Sequence, residues 1–198
     1  MEAIEKLKEI ATQVVSGATI EIINSTPAAQ QPALLVDRDH IYVVAKFFKE
    51  DPRFQMDFCS CVTGVDYLPK ADKPGYIEVV YHLYSVAQKQ GPIILKVRAP
   101  REVAQCHVPS LTPLWRSCEF QEREAYDLYG VTFDGHPDMR RILMWDEFTD
   151  YPMRKDYVPP ADYEWEPTPH DDTLQRTVET DGIMPPTARE ELEKAKKK

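Results

Sequence analysis

Between residues 76 and 87 the side chains alternate in character. Ile77, Val79, Tyr81 and Leu83 are interleaved with Glu78, Val80, His82 and Tyr84. A two-residue period sends one set to one face of an extended chain, so this stretch is a strand packed on a core. One strand needs neighbours, and residues 54–63 and 92–99 have the composition to supply them, with a turn from Pro69 to Gly75 between the first two. Upstream the period changes: Ile4, Leu7, Ile10 or Ala11, and Val14 predict an amphipathic helix over residues 2–16, with Gly17 as its stop. Residues 18–23 read as a strand. A second helix carries Ile41, Val44, Ala45 and Phe48 on one side, with Asp37 or Asp39 as its cap and Pro52 at its end. This order predicts an α+β fold, a mixed sheet with helices packed on one face.

After Pro100 the pattern weakens. Thr112 and Pro113 resemble an N-cap and first helical position, and a helical stretch from Glu119 to Tyr129 ends at Gly130, which suits a left-handed cap. Residues 1–130 are therefore expected to form the α/β domain, with 131–158 an irregular segment packed on it. Residues 159–198 contain six prolines, ten acidic and six basic residues, and few large aliphatics. Such a stretch cannot bury enough surface to fold alone, and we expect an extended, irregular C-terminal arm, ordered against a partner or not at all. Tyr163, Trp165, Leu174, Val178, Ile183 and Met184 would be its apolar anchors.

The formal charge of −9 opposes nucleic-acid binding, which needs a basic surface. No stretch approaches a membrane span in length, so membrane association is expected only through partners. Cys59, Cys61, Cys106 and Cys118 lack paired C-x-x-C spacing, and two cysteines spaced C-x-C on a strand would share one face, so no metal centre is expected. His40, His82 and His170 carry no constellation. Trp115, Trp145 and Trp165 read as core or interface contacts.

The charged block is Glu122-Arg123-Glu124-Ala125-Tyr126-Asp127-Leu128-Tyr129-Gly130, followed by Gly135-His136-Pro137-Asp138-Met139-Arg140-Arg141-Ile142-Leu143 and Tyr151-Pro152-Met153-Arg154-Lys155-Asp156-Tyr157. At helical spacing Phe120, Glu124 and Leu128 share a stripe, which predicts a buried Glu124 paired with an arginine from 140–154: Arg140, Arg141 or Arg154. Arg123 stands four residues from Glu119 and Asp127, the spacing of an exposed ion-pair row. Glu122, Glu124, Asp127 and His136 could also serve as general acids and bases of an independent soluble enzyme, but no nucleophile elbow, phosphate loop or metal spacing accompanies them. His136, before a proline, reads as a loop-fixing hydrogen-bonder.

The pattern Glu122-Arg123-Glu124, then Leu128-Tyr129, His136, Arg140 and Ile142-Leu143 resembles the signature of the complex I 30 kDa (C) subunit family. The resemblance extends through Val108 to Trp115, Pro152 to Tyr157, Gly64 to Tyr67 and Val79 to Leu83, about residues 30–158 in all. It implies a cofactor-free scaffold in the peripheral arm of a proton-translocating NADH-quinone oxidoreductase, on the cytoplasmic side of the inner (plasma) membrane. FMN, iron-sulfur clusters and quinone would reside in partner subunits. The large quinone-site (D) subunit would be the main partner, and the iron-sulfur (B and I) subunits would lie nearby. The residues expected at structural contacts are Glu122, Arg123, Glu124, Asp127, His136, Arg140, Arg141, Arg154, Lys155 and Asp156. Similar modules occur in ferredoxin-quinone oxidoreductases and membrane-bound hydrogenases, which are the alternative.

Overall fold

The computed structural model describes residues 2–24, 31–71, 73–159, 162–163 and 166–167. The chain divides into two units, Met1–Tyr157 and Val158–Lys198. In the first unit the order is α1 (Glu2–Val14), β1 (Ile20–Asn24), β2 (Pro32–Val36), α2 (Ile41–Glu50), β3 (Phe58–Tyr67), β4 (Tyr76–Ser85), β5 (Gln90–Pro100), β6 (His107–Pro109), α3 (Cys118–Tyr129) and β7 (Thr132–Asp134). The second unit contains β8 (Asp162–Tyr163) paired with β9 (Glu166–Pro167). The expected anchors Trp165, Leu174, Val178, Ile183 and Met184, and His170, lie outside the described residues, as does the side chain of Tyr163.

Five strands form a mixed sheet in the order β1-β2-β5-β4-β3. β2 and β5 run parallel; the other neighbours are antiparallel. The alternation in β4 works as the sequence predicts: Ile77, Val79, Tyr81 and Leu83 are fully buried in one core with Val44 and Phe48 of α2 and Ile4 and Ala11 of α1. The mixed α+β architecture is thus as expected. On the opposite face Ala33, Val80 and Ile94 form a smaller cluster, and beside it Glu78 accepts from Lys96 Nζ and Arg98 Nε, each at 2.9 Å. Register explains that group, because Arg98 lies directly across from Glu78 and Lys96 across from Val80.

Several local expectations change. β3 begins at Phe58, not residue 54, because Asp51 holds the chain in a turn: its carboxylate accepts from Arg53, its carbonyl from Phe54 and Gln55, and Gln55 has φ 44°. A bulge between Cys59 and Cys61 puts Cys59 opposite Leu83 and Cys61 opposite His82, so the two cysteines occupy opposite faces. β2 was not anticipated. Its run Ala33-Leu34-Leu35-Val36 lacks alternation because apolar residues are needed on both faces: Leu34 and Val36 lie in the main core and Ala33 in the smaller cluster. Neither Asp37 nor Asp39 caps α2, whose N-cap position is His40 with no side-chain cap; Asp37 accepts from Thr19 N at 2.7 Å and contacts His40. Thr112 and Pro113 start no helix either, since residues 112–114 form a turn and α3 opens only at Cys118.

Phe48 is fully buried and its ring meets that of Phe54 edge-on at 5.4 Å. Phe48→Ala should cost about 3 to 5 kcal/mol, read as a lower urea midpoint with unchanged slope. A loss under about 1 kcal/mol would contradict the packing of α2 on the sheet.

Candidate functional site

α3 runs beside edge strand β3, where Val62, Gly64 and Asp66 are buried. A Cβ at Gly64 would stand 2.7 Å from the Tyr129 ring, so glycine is what lets the helix approach this closely. The helix ends at Gly130 with φ 73°, as its sequence suggests, and there a Cβ would meet the Tyr151 ring at 2.8 Å.

The core face of α3 carries Cys118, Glu122 and Ala125, and Arg123 and Asp127 are buried too. This overturns the placement of Glu124, which is exposed, as is Phe120 at 60%. The stripe was misassigned because Phe120 and Leu128 suggested an apolar side, while the inward positions are filled by carboxylates satisfied internally. Glu122 accepts from Ser110 Oγ at 2.6 Å, Leu111 N at 2.7 Å and Thr112 Oγ1 at 3.1 Å, and so fastens the turn leading into its own helix. Burial pushes its carboxyl up; the Ser110, Leu111 and Thr112 hydrogen bonds and nearby His136 only partly offset that.

Asp127 has the partner once expected for Glu124. Arg141 Nη1 donates to its Oδ1 at 2.6 Å, while Oδ2 accepts the consecutive backbone N–H groups of Ile142, Leu143 and Met144 at 3.0, 2.7 and 2.9 Å. Burial alone would raise this carboxyl. The Met144 and Leu143 N–H groups, Arg141 and the Ile142 N–H outweigh it and hold the carboxyl below its ordinary range. Arg123 makes no exposed row: it is buried and donates to the Arg140 and Arg141 carbonyls, both at 3.2 Å, with Asp138 at 3.6 Å and Phe120 over its guanidinium. Arg140 pairs with Asp138 at 2.9 Å. His136 sits against the Glu119 carbonyl at 2.9 Å and accepts the Asp138 N–H on Nδ1.

A second knot joins Arg154, Lys155 and Asp156, expected at structural contacts, to Asp66 and Arg101, which the sequence did not single out. Arg101, just after β5, grips Asp66 through Nε at 2.7 Å and Nη2 at 2.9 Å, and also pairs with Asp156. Asp66 further accepts Lys155 N at 2.8 Å. Burial opposes ionisation of Asp66, but Arg101 and the Lys155 N–H hold its carboxyl below the usual range. Arg154 donates to the Tyr129 carbonyl at 2.7 Å and the Arg101 carbonyl at 2.8 Å, with its guanidinium over Tyr151. The available signal for Asp66 was a carboxylate on the inward phase of a strand, where a charge requires a partner.

The motif's acidic and histidine groups do not converge. Glu122 holds residues 110–112, Asp127 holds 141–144, His136 bonds backbone at 119 and 138, and Glu124 faces outward. A cleft of about 420 Å³ lies elsewhere, lined by Arg38, Asp39, Pro100, Gln105, His107, Pro109 and Asp134. Among the described residues, no group of three or more His, Cys, Asp or Glu side chains is arranged to hold a metal, and no helix is long and apolar enough to cross a membrane.

Comparison with known proteins places this geometry in context. Residues 34–163 match the family described as the respiratory-chain NADH dehydrogenase 30 kDa subunit. The chain is 41% identical over 126 residues, 63% of its length and 65% of the relative's, to the second NADH-quinone oxidoreductase C-subunit of Rhizobium meliloti. It is 38% identical over 122 residues, 62% of its length and 47% of the relative's, to the NADH-quinone oxidoreductase C-subunit of Saccharopolyspora erythraea. It thus spans less than two thirds of either relative. In fold it resembles a chain of an archaeal respiratory membrane complex, the membrane-bound sulfane sulfur reductase, with TM-score 0.60 and 22% identity over 91% of this chain and 95% of that one.

Asp127→Ala should destabilise the protein by about 3 to 5 kcal/mol, since it strands Arg141 and three N–H groups, whereas Glu124→Ala should stay within about 0.5 kcal/mol of wild type. Glu122→Gln, which keeps an acceptor where ionisation is disfavoured, should fall between them in thermal melts. Equal losses for Asp127→Ala and Glu124→Ala would refute this assignment of the helix faces.

Acid should loosen the same knots. The folded pKa values of Asp66 and Asp127 lie below their unfolded value of 3.8, so their contribution is present above about pH 4 and drains as pH falls through the folded values. Glu122, shifted the other way, does not add to this loss. Urea midpoints measured from pH 6 to pH 2 should decline below about pH 4, and the decline should be shallower in Asp127→Asn. Superimposable wild-type and Asp127→Asn profiles would remove Asp127 as a source.

Proposed function

Because the chain belongs to the respiratory-chain NADH dehydrogenase 30 kDa subunit family, we propose that it is a scaffold subunit of the peripheral arm of a proton-translocating NADH-quinone oxidoreductase. It supports electron transfer from NADH to quinone by fixing the shape of a docking surface. In this reading FMN, the iron-sulfur clusters and quinone are held by partner subunits. The irregular segment is covered by the large quinone-site (D) subunit, with the iron-sulfur (B and I) subunits nearby. The chain reaches the cytoplasmic side of the membrane through the complex alone.

One observation carries this reading: the buried charges of the motif are consumed in holding main chain. Asp127 bonds three consecutive N–H groups, and Arg123 and Arg154 each donate to two carbonyls. A general base needs a lone pair and an approach for substrate, whereas these groups point at backbone. What they hold is a segment without helix or strand, residues 138–158, that exposes Leu143 at 62%, Met153 at 53% and Trp145 at 40%. Rigid irregular backbone with large apolar side chains outward suits recognition by another protein.

Membranes from cells lacking this chain should lose most NADH-dependent quinone reduction and regain it when the full chain is restored. The purified chain alone should have no such activity and should carry no stoichiometric flavin, iron or zinc. Turnover by the isolated chain, or undiminished activity in membranes without it, would reject the scaffold role. Deleting residues 159–198 should leave the melting transition nearly intact but impair assembly with the quinone-site subunit; full assembly would make that segment dispensable.

A further inference from the structure

The two edges of the main sheet are treated differently. At β3 the outward backbone is occupied by α3: Gln121 Oε1 accepts the Val62 N–H at 2.7 Å, and Ser117 Oγ donates to the Cys59 carbonyl at 2.8 Å. At β1 the neighbour is β2 alone. Ile20 pairs with Val36, Ile22 with Leu34 and Asn24 with Pro32, while Asp37 N donates to the Thr19 carbonyl at 3.1 Å. That bond makes 19/37 a hydrogen-bonded pair of the antiparallel ladder. Alternation then makes 21/35 and 23/33 hydrogen-bonded pairs, and turns the N–H and C=O groups of Ile20, Ile22 and Asn24 away from β2. Among the described residues nothing receives them.

Exposed edges are commonly blunted by lysine, proline or a bulge. β1 has none: its sequence is Ile20-Glu21-Ile22-Ile23-Asn24, and its register with β2 is unbroken. Ile20 is buried in the main core, Ile22 packs against that core and Ile23 against the smaller cluster, so the strand is anchored on both faces while, among the described residues, no group bonds its outer backbone. Glu21 is exposed.

We propose that β1 is an acceptor edge, completed by an extended strand from a neighbouring subunit. The inference rests on the chain's place in a multisubunit complex. The incoming strand carries apolar residues across from Ile20 and Ile22 and a lysine or arginine across from Glu21, since cross-strand neighbours share a face and opposite charges there are favourable. Charge also selects against a second copy of this chain, because two molecules of formal charge −9 repel.

The test compares amide hydrogen exchange in the isolated full-length chain with exchange in the complex purified from membranes through a tag on the same chain. The Ile20 and Ile22 amides should exchange freely in the isolated chain and slow by about tenfold or more in the complex, while the Glu21 and Ile23 amides, already bonded to β2, change less. Ile22→Pro deletes one outward N–H without touching the β2 ladder, so the folded variant should enter the complex poorly, and wild-type yield for it would count against the proposal. Should that variant fail to fold, the exchange comparison in wild type still decides. Equal Ile20 and Ile22 rates in both samples overturn the acceptor edge while leaving complex membership intact. Protection in the isolated chain that rises with its concentration overturns it in favour of a second copy. Failure of the tagged wild-type chain to co-purify with any quinone reductase overturns membership, and this inference with it.

Discussion

Three consecutive backbone N–H groups, at Ile142, Leu143 and Met144, belong to no helix or strand, and one carboxylate oxygen receives them all. A chain with hydrogen-bonding groups at this density must return them to water, to regular structure or to a side chain. Asp127 is that side chain. Burying its charge is tolerable because Arg141 lies 2.6 Å away and the successive N–H groups form a concave anion nest. Lose the carboxylate and the N–H groups of Ile142, Leu143 and Met144 lose their acceptor together.

The same logic, with charge on one side and main chain on the other, joins parts far apart in sequence. Arg101 leaves β5, meets Asp66 on β3 and reaches Asp156 beyond the motif. Arg154 returns to the end of α3 and to the Arg101 carbonyl. These contacts seal the end of the sheet where the strands and α3 stop, and there an irregular segment lies on a conventional core. The apolar core sets the position of that end. The ionic contacts set what is displayed there.

The regular elements were largely legible. The alternation of β4 and the periodicity of α2 state directly which side chains face inward, and the structure follows them; in α1 Ile4 and Ala11 are buried as expected, but Val14 is 57% exposed and Val15 takes the inward place. The short strand β2 was not, because it is covered by apolar contacts on both faces and its run carries no period to read. Nor was the inward face of α3. There Glu122, Arg123 and Asp127 take positions that hydrophobicity assigns to apolar residues, and only their partners, 10 to 18 residues along the chain, justify it. The arginine grip on a carboxylate was foreseeable in kind, from the need to pair a buried charge. Which carboxylate received it was not, since helical spacing alone gives no reason to prefer Asp127 over Glu124. Asp66 left a local signal, an inward carboxylate on a strand, but its pairing with Arg101 spans 35 residues and nothing local names that partner.

The bond between Lys155 N and Asp66 spans 89 residues, and its acceptor oxygen, Oδ2, is shared with Arg101 Nη2. A ribosome has delivered nearly all of the first unit before this closure is possible, and closing so long a loop carries an entropic cost. During synthesis the residues that write the recognition surface are therefore the last of the first unit to emerge, after every strand and helix that they fasten on to.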